Sequence, residues 1–289
     1  MKGIILAGGK GSRLYPLTEA INKQLLPVYD KPMVYYPLTT LIENGIKEIC
    51  IISHKELIPL YKGLLGDGKR FGIELRYLEQ KAPRGIPEAF IIAQRFIGGD
   101  NVTLILGDNI FYGSGSVFAR AFKKFEKGAT IFAYEVEDPS SYGVIEFNAK
   151  TKKAISLEEK PTSPKSNYAI PGLYIYDNSV IELSKGLKPS PRGELEITDV
   201  NRHYANYDLL NVYKTNRGCA WLDAGSCNTL YESASYVQVI EKRQGIKIGC
   251  PEEAALIKKF ITKKDLQNII ENTPESEYKK YLKKLCTNH

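Results

Sequence analysis

Four short strand-like runs, each flanked on one side by a glycine turn, constrain this chain more than any other feature. Residues 3–7 (GIILA) lead directly into Gly8-Gly9, and residues 48–53 (EICIIS) follow Asn44-Gly45. Residues 73–78 follow Gly66-Asp67-Gly68, and residues 102–106 end at Gly107-Asp108-Asn109. Residues 3–7, 48–53 and 102–106 are continuous rather than alternating and fit strands buried in a sheet, and residues 73–78 read as a further strand. Between them, residues 32–43, 56–65 and 87–96 read as helices, the first framed by Pro32 and Asn44-Gly45. Strand and helix in alternation predict an α/β chain: a mixed, mostly parallel, Rossmann-like sheet flanked by helices.

The second half is richer in strands. Residues 130–136, 143–147, 154–158 and 168–176 are expected to be extended, with 211–214 and 219–222 as shorter strands and 182–184 helical. From residue 226 the text is helical: 226–244, 252–260, 263–271 and 276–285. No linker rich in Ser, Gly or Pro interrupts the chain, so one domain over 1–289 with a helical extension, 226–289, is expected.

Composition excludes several classes. Lys and Arg number 40 against 33 Asp and Glu, a net +7. Part of this excess is the run Lys279, Lys280, Lys283 and Lys284, which suits a solvated helix face. No concentrated basic patch with aromatic partners appears, so no nucleic-acid partner is expected. No apolar run is long enough to span a bilayer, and no leader pattern opens the chain; a cytoplasmic protein with no membrane partner is expected. The five cysteines form no C-x-x-C pair and read as free thiols.

The first run opens onto Gly8-Gly9-Lys10-Gly11-Ser12-Arg13-Leu14-Tyr15-Pro16. Glycines after a buried strand let backbone N–H groups approach a ligand, and such groups converge well on phosphate oxygens. Arg13 can add a forked donor and Lys23 a compact charge. A dinucleotide-binding loop fails, because position 14 is Leu where a third glycine belongs. A Walker loop fails too, with Ile4 at its first glycine. Asp108 and Asp223 each follow an apolar run, where ligands of open α/β sheets bind, and Mg²⁺ commonly takes one or two such carboxylates.

The pattern G-G-x-G-[ST]-R-L-x-P-x-T followed by K-x-[LM]-[LV]-P-[VI] is met by residues 8–18 and 23–28. It resembles the opening of the sugar nucleotidyltransferases. Leu106-Gly107-Asp108-Asn109 and Trp221-Leu222-Asp223-Ala224-Gly225 resemble that family's G-D-[NT] and W-x-D-x-G stretches. Residues 29–38, 64–68, 156–161, 164–169 and 192–201 resemble its thymidylyl branch.

The resemblance implies the nucleotidyltransferase (GT-A-like) fold, with 1–115 mainly nucleotide-binding and 129–225 mainly sugar-binding. It implies that Leu6, Gly8, Gly11, Ser12, Arg13 and Gln24 wrap the nucleotide. Gln80 and Gly85 would read the base edge, with Pro83 against the ring and Asp108 near the phosphates. Tyr142, Gly143, Glu159, Ile170 and Gly172 would surround the sugar, with Lys160 and Arg192 toward its phosphate. Arg13, Lys23 and Lys160 would serve catalysis, and Asp108 and Asp223 would hold Mg²⁺. The implied substrates are dTTP and glucose 1-phosphate, and the implied assembly is a homotetramer inhibited by a dTDP-sugar.

Departures keep alternatives open. Ile86-Pro87-Glu88-Ala89 replaces the family's usual L-A-Q-A beside the base pocket, so UTP or another hexose 1-phosphate stays a rival substrate. Lys10 adds a cation to the loop, and Ala224 to Asn228 departs from the usual T-G-T-H-D. A silent nucleotide-sugar sensor and an NAD-dependent dehydrogenase are the other rivals. Intact Arg13, Lys23, Asp108, Lys160 and Asp223 argue against the first, and the missing glycine argues against the second. His54, His203 and His289 join no nucleophile in a recognisable arrangement, and Cys227 lacks a partner base.

Overall fold

The computed structural model describes residues 1–9, 11–113, 115–148, 150–151 and 153–288. Lys10 and His289, both weighed above, lie outside the described residues. In chain order the elements begin with β1 (Lys2–Leu6), β2 (Pro27–Val28), β3 (Lys31–Pro32), α1 (Tyr35–Glu43), β4 (Glu48–Ser53) and α2 (Ile58–Leu65). Then come β5 (Glu74–Glu79), α3 (Glu88–Ile92), α4 (Gln94–Ile97), β6 (Val102–Leu106), β7 (Asn109–Tyr112) and α5 (Gly115–Lys124). The middle of the chain holds β8 (Ala129–Glu135), β9 (Gly143–Phe147), β10 (Ala154–Glu159), β11 (Tyr168–Ala169), β12 (Leu173–Tyr176), α6 (Val180–Gly186) and α7 (Ile197–Asn206). Last are β13 (Leu210–Lys214), β14 (Ala220–Asp223), α8 (Cys227–Gln244), α9 (Pro251–Ile257), α10 (Lys263–Glu271) and α11 (Glu277–Asn288).

The four anticipated runs form a parallel set in the order β6-β1-β4-β5. Antiparallel pairing enters with β12 against β6, and the mixed sheet continues through β8, β11 and β9 to β10, with β13 parallel to β8. Adjacent residues of one strand bury on opposite sides. Ile4, Cys50, Ile52 and Leu104 join a core with Phe90 and Tyr204 of α3 and α7, while Ile5, Ile51 and Ile105 join a core with Leu38, Phe118 and Ala255 of α1, α5 and α9. Two covered faces explain the continuous apolar runs of β1, β4 and β6, while β5, at the sheet edge, leaves Glu74, Arg76 and Glu79 exposed.

Three differences from the sequence expectation matter. The helix anticipated over 87–96 is two short helices that meet at Ala93 (φ −85°, ψ 5°). The strand anticipated over 168–176 breaks at Pro171-Gly172 into β11 and β12, because Pro171 has no N–H to give the sheet and the N–H of Gly172 is diverted to the Asn109 side chain. Strand β7 and helices α5 and α7 lay outside the anticipated elements. Among the described residues, no helix is long and apolar enough to cross a membrane.

Candidate active site

Strand order reverses between β1 and β6, and the chain leaves both strands at their carboxyl ends toward the same place. Beyond β1, Gly11 (φ 65°, ψ 30°) opens a short 3₁₀ turn over Ser12–Leu14 that leaves Arg13 exposed. A second 3₁₀ turn, Lys23–Leu25, is capped by Asn22, whose Oδ1 accepts from the Gln24 N–H (3.2 Å) and whose Nδ2 donates to the Ala7 carbonyl (3.4 Å). This turn buries Lys23 and directs its ammonium onto the Asp108 carboxylate beyond β6. Gln24 is buried beside Gly107, and its Oε1 has no hydrogen-bond partner among the described residues. The last residue of β1, Leu6, accepts the Gly107 N–H through its carbonyl (2.9 Å).

Asp223 arrives from β14, which pairs antiparallel with β7 so that Asp223 lies opposite Asn109. Trp221 and Asp223 are two residues apart on this strand and therefore share a face. Asn109 ties the parts together. Its Oδ1 accepts from Trp221 Nε1 (2.6 Å) and the Gly172 N–H (2.9 Å), while its Nδ2 donates to Asp108 Oδ1 (3.1 Å). Burial, followed by the charge of Asp108, pushes the Asp223 carboxyl up to about 6; Lys23, Arg13 and Lys160 act in the opposite sense. Burial also opposes the charge on Asp108, but the Lys23 ammonium and the Asn109 amide outweigh it and hold that carboxyl below its usual range. A Cβ at Gly225 would stand 2.8 Å from Arg13 Nη2 and 3.0 Å from Asp223 Oδ1, so the glycine leaves room for the guanidinium beside the carboxylate.

The other wall comes from the strand-rich half. Glu159 ends β10 opposite Gly143 of β9, and its Oε2 accepts from the Thr198 hydroxyl of α7. Lys160 follows with left-handed backbone (φ 43°), rare for a lysine, and its N–H donates to the Tyr142 carbonyl (3.0 Å). The Tyr142 ring leans on Trp221 at 4.8 Å between centroids. Arg192 is engaged with Glu196 through two hydrogen bonds, 3.1 and 2.8 Å, and lies 3.6 Å from Glu159.

One cleft is lined by Arg13, Asp108, Tyr142, Gly143, Glu159, Lys160, Ile170, Gly172, Arg192 and Asp223 together. Leu6, Gly8, Gly11, Ser12, Lys23, Gln24, Gln80, Pro83 and Gly85 lie outside its lining. Lys23 and Gln24 lie against Asp108 and Gly107 beyond β6, while Gly8, after β1, packs under the amide of Gln80, after β5, and Gly85 bridges to Leu195, itself a lining residue. His54 and His203 do not line the cleft. Cys227 is exposed, its thiol 3.9 Å from the Arg13 carbonyl.

A model of the family described as Nucleotidyl transferase matches residues 2–239. The chain belongs to the nucleotidyl transferase family. This nucleotidyl transferase is 51% identical over 287 residues to a glucose-1-phosphate thymidylyltransferase of Mycolicibacterium smegmatis, covering 99% of each chain. It is 49% identical over 288 residues to one of Neisseria meningitidis, again over 99% of each. Among solved structures, a Bacillus anthracis protein assigned as a glucose-1-phosphate thymidylyltransferase and crystallised with sucrose superposes with a TM-score of 0.76 at 41% identity, over 82% of this chain and 94% of that one. The nucleotidyl transferase is therefore an enzyme, and nucleotidyl transfer is its class of reaction.

Sequence reasoning assigned no role to Asn109, Thr198, Glu196 or Gly225 of this nucleotidyl transferase. Asn109 stands in the quoted Gly107-Asp108-Asn109, and a polar residue at the start of a buried strand was the signal available. Thr198 meets Glu159 only because α7 folds back onto β10, a contact that no local pattern encodes.

Proposed function

We propose that this nucleotidyl transferase moves a thymidylyl group from dTTP to α-D-glucose 1-phosphate, giving dTDP-glucose and pyrophosphate. The observation that carries the reading is the convergence of Arg13, Asp108, Lys160 and Asp223 on one cleft whose far wall is Tyr142, Gly143 and Glu159. The full-length likeness to enzymes named for this activity supports the choice of substrates.

Two polyanions must meet for the reaction. An oxygen of the sugar phosphate, already ionised near neutral pH, attacks the α-phosphorus, and the bond to the β-phosphate oxygen breaks in line. No covalent enzyme intermediate is needed. Arg13 and the loop that bears it receive the negative charge that builds on the departing pyrophosphate. Lys160, held in its unusual backbone state, orients the attacking phosphate, and Glu159 and Gly143 fix the sugar. Lys23 holds Asp108 ionised and in place. Gln80 and Gly85 read the base, with Pro83 beside it. Leu6, Gly8, Gly11, Ser12 and Gln24 wrap the nucleotide.

Asp108 and Asp223 fit a divalent cation, Mg²⁺ in this reading. Asp108 is buried and Asp223 half-buried, and the carboxyl of Asp223 is pushed up to about 6 by burial and then by the charge of Asp108. Mg²⁺ commonly takes one or two protein carboxylates and completes its shell from phosphate and water. When bound, it supplies charge neutralisation across the phosphates. Division of labour between 1–115 and 129–225, a homotetramer inhibited by a dTDP-sugar, and residence in the cytoplasm belong to the same proposal.

The test is pyrophosphate release from glucose 1-phosphate with dTTP, UTP, dCTP, ATP and GTP. dTTP is expected to lead, and finding it among the poorest donors would overturn the thymidylyl assignment.

A further inference from the structure

We propose that Glu88 is a positioning residue that locks the amide of Gln80 in one orientation and thereby selects bases by their edge. The proposal rests on the reading that Gln80 faces the base of the nucleotide. Gln80 is 2% exposed and follows β5, its N–H donating to the Ser53 carbonyl (2.8 Å). Glu88 opens α3, and its Oε2 accepts from Gln80 Nε2 at 2.8 Å and from the Arg84 N–H at 3.2 Å. One carboxylate oxygen therefore holds both the amide and the loop from residue 81 to 85.

The chemistry of the pair removes an ambiguity that an amide partner would leave. An ionised carboxylate only accepts hydrogen bonds, so the group turned toward it must be the NH₂ of Gln80. Reversing the amide would set the Gln80 oxygen against the Glu88 oxygen at hydrogen-bond distance, two acceptors with no proton between them. Gln80 Oε1 is thereby directed away from Glu88 and lies over Gly8, whose missing side chain leaves it space: a Cβ there would sit 1.9 Å from Oε1. No hydrogen bond reaches Oε1 from the described residues, and Nε2 keeps a second hydrogen to donate.

The locked amide thus offers an acceptor beside a donor, in fixed order. Thymine and uracil match it with the N3–H donor flanked by carbonyl acceptors. Cytosine presents the reverse, an acceptor at N3 beside an amino donor, and would need the amide turned over. Sites built to hydrogen-bond one edge discriminate strongly against an edge that leaves them unpaired. The lock separates thymine and uracil from cytosine, and it does not separate thymine from uracil.

The experiment measures binding of dTTP and dCTP without sugar phosphate, then turnover with glucose 1-phosphate, for the wild type, Glu88→Gln, Glu88→Ala and Gln80→Ala. Wild type is expected to favour dTTP over dCTP by about 100-fold or more. Glu88→Gln keeps the shape but can hold the amide either way round, since its own amide both donates and accepts. That ratio should fall about 10-fold, chiefly by tighter dCTP binding, while kcat with dTTP stays within about threefold. Glu88→Ala should raise KM for dTTP about 10-fold with a smaller change in kcat. Adding Glu88→Gln to Gln80→Ala should change the ratio no further, because Glu88 acts through Gln80. An unchanged ratio in Glu88→Gln, or an effect of Glu88→Gln that persists without Gln80, overturns the proposal. Selective nucleotide binding without turnover of glucose 1-phosphate would defeat the proposed reaction and leave the positioning role to be judged by the binding ratios.

Discussion

The ammonium of Lys23 rests on the carboxylate of Asp108 where the strand order reverses, and each residue is only 9% exposed. Removing the cation strands a buried anion, which typically costs about 3–5 kcal/mol. Lys23→Met should therefore lose both turnover and stability. Asp108 has its carboxyl lowered in the folded enzyme, so this pair stabilises above the unfolded value near 3.8 and the contribution fades as pH falls through the folded value. Without the ammonium, burial raises the Asp108 carboxyl in Lys23→Met, so the variant regains stability as that group protonates, and thermal melts from pH 8 to pH 3.5 should show the gap to wild type narrowing toward the acid end. Adding Asp108→Asn should return part of the lost stability and none of the activity. A gap that does not change with pH would mean that the lysine acts by packing alone.

Asp223 behaves in the opposite sense. Its carboxyl is raised from 3.8 to about 6 in the fold, so ionising it works against folding as pH rises through that interval. Without divalent cation, Asp223→Asn should melt higher than wild type at pH 8, by on the order of 1–2 kcal/mol after solvent screening, and the advantage should vanish below about pH 4. The same change should lower kcat by orders of magnitude. Equal melting points at pH 8 would remove the claim that burial and the Asp108 charge oppose ionisation of Asp223.

Asn109 accepts hydrogen bonds from two distant segments, at Trp221 and Gly172, and donates one to its neighbour Asp108. Asn109→Ala leaves buried N–H groups of Trp221 and Gly172 unpaired, and a cost of about 2–4 kcal/mol is expected together with a fall in kcat. Trp221→Phe removes one donor and keeps most of the apolar surface, so about 1 kcal/mol is expected. Urea titration of the two variants checks the order, and a larger loss in Trp221→Phe would contradict it.

Two glycines should respond differently to the same change. At Gly8 an added Cβ meets the side-chain end of Gln80 rather than backbone, so Gly8→Ala should cost less stability than Gly85→Ala while displacing the amide and raising KM for the nucleotide about 10-fold or more. At Gly85 it meets backbone, 2.1 Å from the Leu195 carbonyl oxygen, and φ is 105°. Gly85→Ala should therefore lower stability by several kcal/mol, measured as melting temperature, before any question of catalysis arises.

The parallel core was legible because β1, β4 and β6 are buried and so read as continuous apolar runs beside glycine turns; residues 48–53 and 102–106 were located to the residue. The anion loop was legible for a related reason, since glycine, arginine and lysine at those spacings have few other uses. Helix α7 was harder to see. Its cap, Glu196, makes no side-chain cap hydrogen bond, and that carboxylate is directed to Arg192 and Ser190 instead. Strand β7 hid behind Asp108, being four residues long and paired only with β14, far along the chain. The break at Pro171-Gly172 could be read as a loose turn; that it delivers an N–H to Asn109 depends on the third dimension.

The pairing of β7 with β14 also sets a timetable. A nascent chain that has reached residue 113 already carries the anion loop, Lys23 and Asp108, and can build the parallel strands. It has no Asp223, no Trp221 to engage Asn109, and no Gly225 to accommodate Arg13. The acidic pair is completed only when a four-residue ribbon from much later in synthesis docks against its mate. Until then the folding chain has the proposed phosphate cradle without the proposed cation seat, so on that reading competence for chemistry comes after the first scaffold.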